Sequence, residues 1–513
     1  MVGMSSTTPG SPADPKPGLR RGAYPIPLGS LTTAGFIGRT ERGPINEPVC
    51  VTSFPEYSRY FGGYLADGAL AHAVNDYFLH GGRRAVIVRV ANRARRAALD
   101  VPAADGLLRL EARYPGRHEV LRVSIDYEQG ERDPAVFNLV VQRVSANGNR
   151  VVEDQEIYPL VSTRESDPRY VERALQDSRL VALAGPVPAQ RPLATPPARP
   201  GDPVRYINLT IPGDDGDALT DYDLIGSDRD GTGLFAFARG PRIDLLAIPL
   251  LPEVELGTTA FVAAARFCQR QRALLIWDPP ASWQSVDSAM LGSRRLDFAL
   301  GSVMTYFPRI RPRGARMRHS GGLPACGAIA GMLAERDQRG IFGRDEDADY
   351  TLRAALTPVI TLGALEAQRL ARYGINAFVQ ATGGLTRLVG RVTLSSRALH
   401  RRRLWAFVLN SIETAAEDGI ADHDQDDALD RAEWQLRRFL DELLRHGALR
   451  GSTASQAYFV EARRGADGYV PGLRFGMALD EPGRFVEYTL DLAGERAARV
   501  HRARGIEAEQ LLR

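Results

Sequence analysis

The sequence predicts a multidomain protein of mixed α/β and α+β class, built around a buried, mainly parallel α/β sheet. Three observations carry this. Near-continuous apolar strands flank helices at the start of the chain, which marks a sheet covered on both faces. That texture breaks off near Arg93, gives way to alternating strands, and returns near Arg242. The last third switches again, to amphipathic helices followed by alternating strands. At roughly 100–200 residues per domain, the 513 residues leave room for two to four domains.

The elements follow in order. "TTAGFIG" (32–38), "PVCVTS" (48–53) and "RRAVIVRV" (83–90) read as strands. "FPEYSRYFGG" and "GALAHAVNDYFLHGG" between the last two read as helices, the second placing Leu70, Val74, Tyr77 and Phe78 on one face and stopping at Gly81–Gly82. "LLRLEARY", "EVLRVSIDYE" and "FNLVVQRV" alternate like antiparallel strands. A helix is expected near "PRYVERALQDSRL", and 184–203 is too proline-rich for regular structure. The buried-strand texture resumes in "RIDLLAIPLL" (242–251), "ALLIWDPP" (273–280) and "FALGSVMTYFPRI" (298–310). Residues 375–395 read as paired strands. Two helices follow, one with Leu404, Phe407, Val408, Ile412 and Ala415 on a face. The other aligns Leu429, Leu436, Phe439, Leu440 and Leu443 and is capped by Gly447. "AYFVEA" (457–462), "GLRFGMAL" (472–479) and "RFVEYTLDL" (484–492) close the core as strands.

The expected partition is therefore a flexible tail and linker arm at 1–31, an α/β domain at 32–92 and 233–372, and an antiparallel β-rich domain inserted at 93–232. A C-terminal α+β domain covers 373–492, and 493–513 is an extension.

Composition excludes several function classes. The net charge of +3 gives no strong field favouring nucleic acid or an anionic membrane. No apolar run is long enough to span a bilayer, and the N-terminus lacks the apolar stretch of a secretory signal. Cys50, Cys268 and Cys326 lie far apart beside apolar residues, which reads as three separate buried thiols in a reducing compartment. Of the 65 basic residues only Lys16 is a lysine, and it sits between prolines in the tail. A phosphate-binding loop with its lysine and Schiff-base chemistry are thereby excluded.

A search for chemistry finds no nucleophile elbow, no HExxH and no histidine pair at ligand spacing. His72 reads as a packed or half-exposed histidine, and "DGTGLFAFARG" as a turn entering an element. "DHDQDDALDRAE" (422–433) places acids at several positions of a calcium loop, but Asp427 stands where the turn needs glycine. An acidic cap by Asp426 or Asp427 explains it better. The acids of 214–230 read as turn residues. No catalytic, cofactor or metal residue is assigned. An α/β enzyme or ligand-binding protein of unknown substrate stays open as the alternative, on its parallel sheet alone.

The stretch "TTAGFIGRTERGPINEPVCVTSFPEYSRYFGG" with "LAHAVNDYFLHGGRRAVIVRV" resembles the N-terminal signature of contractile tail sheath proteins of phages and phage-tail-like injection systems. Arg42, Gly43, Pro44, Asn46 and Pro48 match the family's turn. Thr52, Ser53, Phe54, Glu56 and Tyr57 match the next segment, Phe61, Gly62 and Gly63 the one after it, and Gly81, Gly82, Arg89 and Val90 the close. Further stretches, among them "GTGLFAFARGPRIDLLAIP" and "YGINAFVQATGGLTRLVGRVTLS", are similar in chain order over about residues 32–490. The N-terminal arm, "PGLRRGAYPIPLGS", departs from the family's pattern, and the chain after Leu492 runs past its usual end.

The resemblance implies a non-enzymatic structural subunit that polymerises helically around an inner tube and contracts to drive the tube through a target envelope. It implies no cofactor. Its partners would be copies of itself, the inner tube protein, and baseplate and terminator or cap proteins, with no direct nucleic-acid or membrane contact. Assembly would be cytoplasmic, in a phage tail or injection particle. Strand exchange between subunits would use the 22–31 arm (Tyr24, Ile26, Leu28) and "RFVEYTLDL" (Phe485, Val486, Tyr488, Leu490) as donors. The acceptors would be Tyr458, Val460, Leu473 and Phe475; alternatively, "RFVEYTLDL" completes its own sheet. The charged side of the helix expected at 428–447 carries Arg431, Arg437, Arg438, Asp441, Glu442 and Arg445, either tube-facing or simply solvated.

Overall fold

The computed structural model describes all residues except 1–25, 27–31, 129–132, 147–148, 150, 196–203, 295–300, 313–320, 341–349, 354–355, 382–383, 396–397, 421–424, 464–471, 492–498 and 503–513. The chain opens with β1 (Thr33–Gly38), β2 (Pro48–Val51), α1 (Phe54–Phe61), α2 (Leu70–Leu79) and β3 (Arg84–Arg89). Next come β4 (Ala98–Ala103), β5 (Gly106–Ala112), β6 (Leu121–Asp126), β7 (Val136–Val144), β8 (Val152–Ser162), α3 (Val171–Ala174), β9 (Val181–Leu183), β10 (Ile207–Asn208) and α4 (Asp221–Ile225). After a 3-10 turn at Gly233–Arg239 follow β11 (Leu245–Ala247), α5 (Thr258–Gln271), β12 (Leu274–Trp277), α6 (Val286–Arg294), β13 (Val303–Phe307) and β14 (Ile310–Pro312). The chain continues through α7 (Cys326–Gly340), β15 (Leu356–Pro358), α8 (Ala364–Ala371), β16 (Ile375–Gln380) and β17 (Thr386–Val389). It closes with α9 (Leu399–Ile420), α10 (Gln425–Arg445), α11 (Ala454–Ala457), β18 (Tyr458–Arg463), β19 (Gly472–Met477), β20 (Val486–Asp491) and β21 (Arg499–Arg502).

The main sheet has eight strands in the order β17-β16-β13-β12-β11-β1-β3-β2. Its six inner strands are parallel, and the edge strands β2 and β17 each pair antiparallel. Side chains alternate across it. Phe36, Ala85 and Ile87 enter a core shared with α2 and α7, while Ile37, Val86 and Val88 enter one shared with α5 and the 3-10 turn. Both faces are covered, so β1 is buried along its whole length. Each fully buried Ile, Val or Phe contributes about 1.5–3 kcal/mol, which selects the flat apolar runs seen in the sequence. Helices α2 and α7 approach closely, because Gly327 and Gly331 lie against the α2 backbone at Ala73 and Tyr77.

Between β3 and β11 lie two antiparallel sheets, β4-β5-β9 and β10-β6-β7-β8, around one core containing Leu99, Leu110, Val123, Phe137 and Val161. The last sheet, β18-β19-β20-β21, is antiparallel and packs against α9 and α10. The fold is thus mixed α/β and multidomain, with one mixed sheet and several antiparallel sheets.

Three expectations are corrected. The strands of 375–395 do not belong with the C-terminal helices: β16 pairs parallel with β13 and extends the main sheet. Ile375, Ala377 and Phe378 are buried there, so a central position satisfies them. Cys50 is exposed rather than buried, because it lies on edge strand β2 with its side chain outward. Helix α10 begins at Gln425, so Asp426 and Asp427 lie in its first turn rather than at its cap. The matching acid Asp422 lies outside the described residues.

Candidate subunit-contact surfaces

In open α/β sheets, ligands bind beyond the carboxyl ends of the strands. At one of these strand ends, directly after β12, stands Asp278. Tyr306 of β13 donates its hydroxyl hydrogen to Asp278 Oδ1, and the Cys326 backbone N–H donates to the same oxygen at 3.2 Å. Arg309 donates to the carbonyls of Pro279 and Leu250 at 2.9 and 3.0 Å. Burial pushes the Asp278 carboxyl and the Tyr306 hydroxyl upward. Tyr306 and Cys326 are fully shielded from solvent. The carboxylate therefore caps the N-terminus of α7 at the edge of the core. Among the described residues no group of three His, Cys, Asp or Glu side chains could hold a metal ion.

The acidic stretch of 214–230 is occupied in structural roles. Asp214, Asp215 and Asp217 pair with Arg95, Arg117 and Arg93 at 2.7, 2.8 and 3.6 Å. Asp221 accepts from the N–H groups of Gly257 and Ala260, both at 3.1 Å, at the start of α5. Asp223 forms a reciprocal capping box with Thr220 on α4. His72 is half-buried against the ring of Tyr64.

The signature residues of the N-terminal stretch are explained by the way they join elements. Arg89 is 2% exposed and donates to the carbonyl of Gly43 at 2.7 Å. Gly43 has φ +100°, and a Cβ there would lie 2.7 Å from the Tyr60 carbonyl oxygen. Asn46 accepts from the Gly233 N–H at 2.9 Å, which fastens the turn to the 3-10 segment where the chain re-enters the main sheet. Arg42 reaches Glu153 of β8 at 2.9 Å. Ser53 caps α1 by accepting from the Glu56 N–H at 3.3 Å, and Glu56 accepts from the Thr52 N–H and hydroxyl, both at 2.7 Å. Glu41 is held at about 2 chiefly by its hydrogen bond from His118. Burial pushes the Glu119 carboxyl up, against the pull of Arg143, Arg42 and Arg89.

The residues expected to exchange strands lie mostly in the C-terminal core. Val460, Leu473, Phe475, Tyr488 and Leu490 are buried beneath α9 and α10, with Tyr458 beside them and Val486 at the margin. Within the chain, Phe475 stands opposite Val460 on one side and Tyr488 on the other, and Leu473 opposite Leu490. Strand β19 thus has both edges paired, and β18 and β21 are the outer strands. Phe485 precedes β20 and meets the Phe459 ring edge-on at 5.3 Å. Ile26 is buried in this same core, while Tyr24 and Leu28 lie outside the described residues.

The charged face of α10 divides in two. Arg437 binds Glu433 at 2.8 Å and the Val460 carbonyl, and Asp441 accepts from the Tyr458 hydroxyl. These two residues clamp the helix to its own sheet. Arg438, with its guanidinium 5.4 Å above the Trp434 ring, and Arg445 are exposed, while Arg431 and Glu442 are half-buried.

Sequence reasoning missed β21 and the cluster formed by Glu413, Arg272 and Arg242, with contacts of 2.6 and 2.7 Å. One signal was present: an acid beside Ile412 in the apolar stretch of α9.

No protein-family model matches the sequence, and no curated protein matches it. Solved structures do. The chain is similar to a sheath tail protein from Listeria innocua, with 12% identity over 93% of this chain and 95% of that one, and a TM-score of 0.58. It is similar to a sheath tail protein from Desulfitobacterium hafniense, with 12% identity over 98% and 100% and a TM-score of 0.53. A third likeness is to the sheath complex of an extracellular contractile injection system, PVC, in the contracted state, with 13% identity over 99% and 100% and a TM-score of 0.51. These likenesses run along nearly the whole of each chain and show the fold.

Proposed function

We propose that this chain, which has the fold of contractile tail sheath proteins, is the repeating subunit of a contractile sheath and has no enzymatic activity. One observation carries the reading: the likeness covers 93–99% of this chain and 95–100% of the sheath chains it is compared with. The placement of the signature residues supports it. Arg42, Gly43, Asn46, Ser53 and Glu56 join or start structural elements. The carboxylate after β12 is spent on holding Tyr306 and the start of α7, which fits a structural role.

Subunits would stack as a helical homopolymer around an inner tube and end on baseplate and terminator proteins, with assembly in the cytoplasm. A heterologous contact that does not close generates such a helix. Terminal strands shared between neighbours suit it, since backbone hydrogen bonds tolerate rotation of the remainder. The outer edges of β18 and β21 are the places where a neighbour's segment would add without displacing a strand. The middle sheet with its adjoining antiparallel sheets would face outward, and the C-terminal helices inward.

Electron microscopy of the purified protein, or of particles from its native operon, tests the reading. Tubes or stacked rings are expected. A stable monodisperse monomer with measurable turnover of a small molecule would overturn it.

A further inference from the structure

Two shielded ion-pair clusters join the main-sheet unit to the C-terminal unit. In the first, Arg272 of the main-sheet unit grips Glu413 of α9 in a fork, Nη1 to Oε2 at 2.6 Å and Nη2 to Oε1 at 2.7 Å. Arg242 adds a contact to Oε2 at 2.7 Å. In the second, Arg403 of α9 binds both carboxylate oxygens of Asp337 on α7, one of them at 3.0 Å. The side chains of Glu413 and Asp337 are only 7% and 5% exposed.

Each cluster also receives one end of the chain. The hydroxyl of Thr32, the residue before β1, donates to Asp337 Oδ2 at 2.5 Å. The N–H of Val500 in β21 donates to Glu413 Oε1 at 2.8 Å, and its carbonyl accepts from Arg272 Nη2 at 2.8 Å. Between the clusters lies a recess of about 30 Å³ lined by Thr32, Asp244, Arg272, Asp337 and Arg403. That is room for about one water.

We propose that the two clusters form a single latch fixing the angle between the main-sheet unit and the C-terminal unit, and that both terminal segments are working parts of it. The physical ground is the asymmetry of buried polar contacts. A shielded carboxylate that loses one donor keeps its desolvation cost while losing the compensating bond. Withdrawing Thr32 deprives Asp337, and withdrawing Val500 deprives Glu413. Either withdrawal weakens the junction between the two units. Whatever occupies the terminal segments thereby changes the freedom of the hinge, and by reciprocity a fixed hinge favours docked segments. The latch belongs to the single chain and does not depend on the assembly proposed above, so the two readings fail independently.

The test uses the full-length chain carrying Cys50→Ser, which removes the exposed thiol, with spin labels at Arg266→Cys on α5 and Arg438→Cys on α10. Double electron–electron resonance then reads the distance between the units. The parent chain should give one narrow distance. Glu413→Gln, Thr32→Val and a chain ending at residue 498 should each broaden it, with far-UV circular dichroism unchanged. Thr32→Val removes one hydroxyl at nearly constant shape, so it decides the matter even where Glu413→Gln fails to fold. A distance that stays narrow in Thr32→Val and in the shortened chain would show that the terminal segments are not parts of a latch.

Discussion

Gly327 of α7 lies so close to Ala73 of α2 that a Cβ on the glycine would stand 1.9 Å from the alanine carbonyl oxygen. The two helices cover one face of the main sheet, and their spacing is set by this contact. Gly327→Ala must push them apart or bend one of them. Overpacking of this kind costs about 1–3 kcal/mol. Chemical denaturation should show a lower midpoint for Gly327→Ala at an unchanged slope, and an unaltered midpoint would refute the tight fit.

The pH dependence of stability should carry the mark of Asp76. Burial lifts its carboxyl from 3.8 to about 7. The folded chain holds this proton where the unfolded chain has lost it, so the unfolded state binds fewer protons across that interval. Stability from this group is fully present below about pH 4, falls as pH rises to about 7, and is flat above. Asp76→Asn should remove a decline on the order of a few kcal/mol. Midpoints from pH 4 to 8 for the two proteins check this; parallel curves would rule it out.

Removing residues 1–31 should abolish polymers and leave a folded monomer. The segment contributes Ile26 to the C-terminal core, so the monomer should also melt slightly earlier. Tubes that survive the deletion would mean that the arm links nothing.

Reversing Arg438 and Arg445 to glutamate should release an inner tube at modest salt if α10 faces one. These two are the informative positions, because Arg437 and Asp441 hold the helix to its own sheet. Unchanged co-sedimentation of tube and sheath would count against a tube-facing α10.

Contraction should proceed without nucleotide. If each subunit gains about a few kcal/mol on moving to a state with more buried contact, a long helix releases a large total. A kinetic barrier then sets the lifetime of the extended form. Extended particles stripped of ATP and warmed should shorten once and stay short. Re-extension on cooling would exclude this mechanism.

How much of this was legible in the sequence depends on the range of the interactions. The strands β1 and β3 stood out because burial on both faces demands an unbroken apolar run. The helix from Phe54 was readable from its local pattern, though its cap, Ser53, is expected above as the end of a strand. The hairpin of β16 and β17 was recognised but placed in the wrong unit. Its local pattern is the same whichever sheet it joins, and its neighbour β13 lies some 70 residues away, the separation of Asn376 from the Thr305 carbonyl it binds being 71. The contact clusters around Glu413 were invisible for the same reason: Arg272 and Val500 are 228 residues apart. Strand β21 escaped notice because its four residues, Arg499–Arg502, have only one apolar member.

The position of β1 also bears on how the chain responds to force. Its first residue, Thr33, is joined directly to the N-terminal segment, and the strand runs parallel between β11 and β3. Tension applied along the strand axis would load the rungs on both sides together in shear rather than open them one after another as in a zipper. A ladder strained that way resists rupture far better than one peeled from its end. The N-terminal segment is thereby made fast to a strand buried along its length and paired on both sides, as a tow line is made fast to a keel.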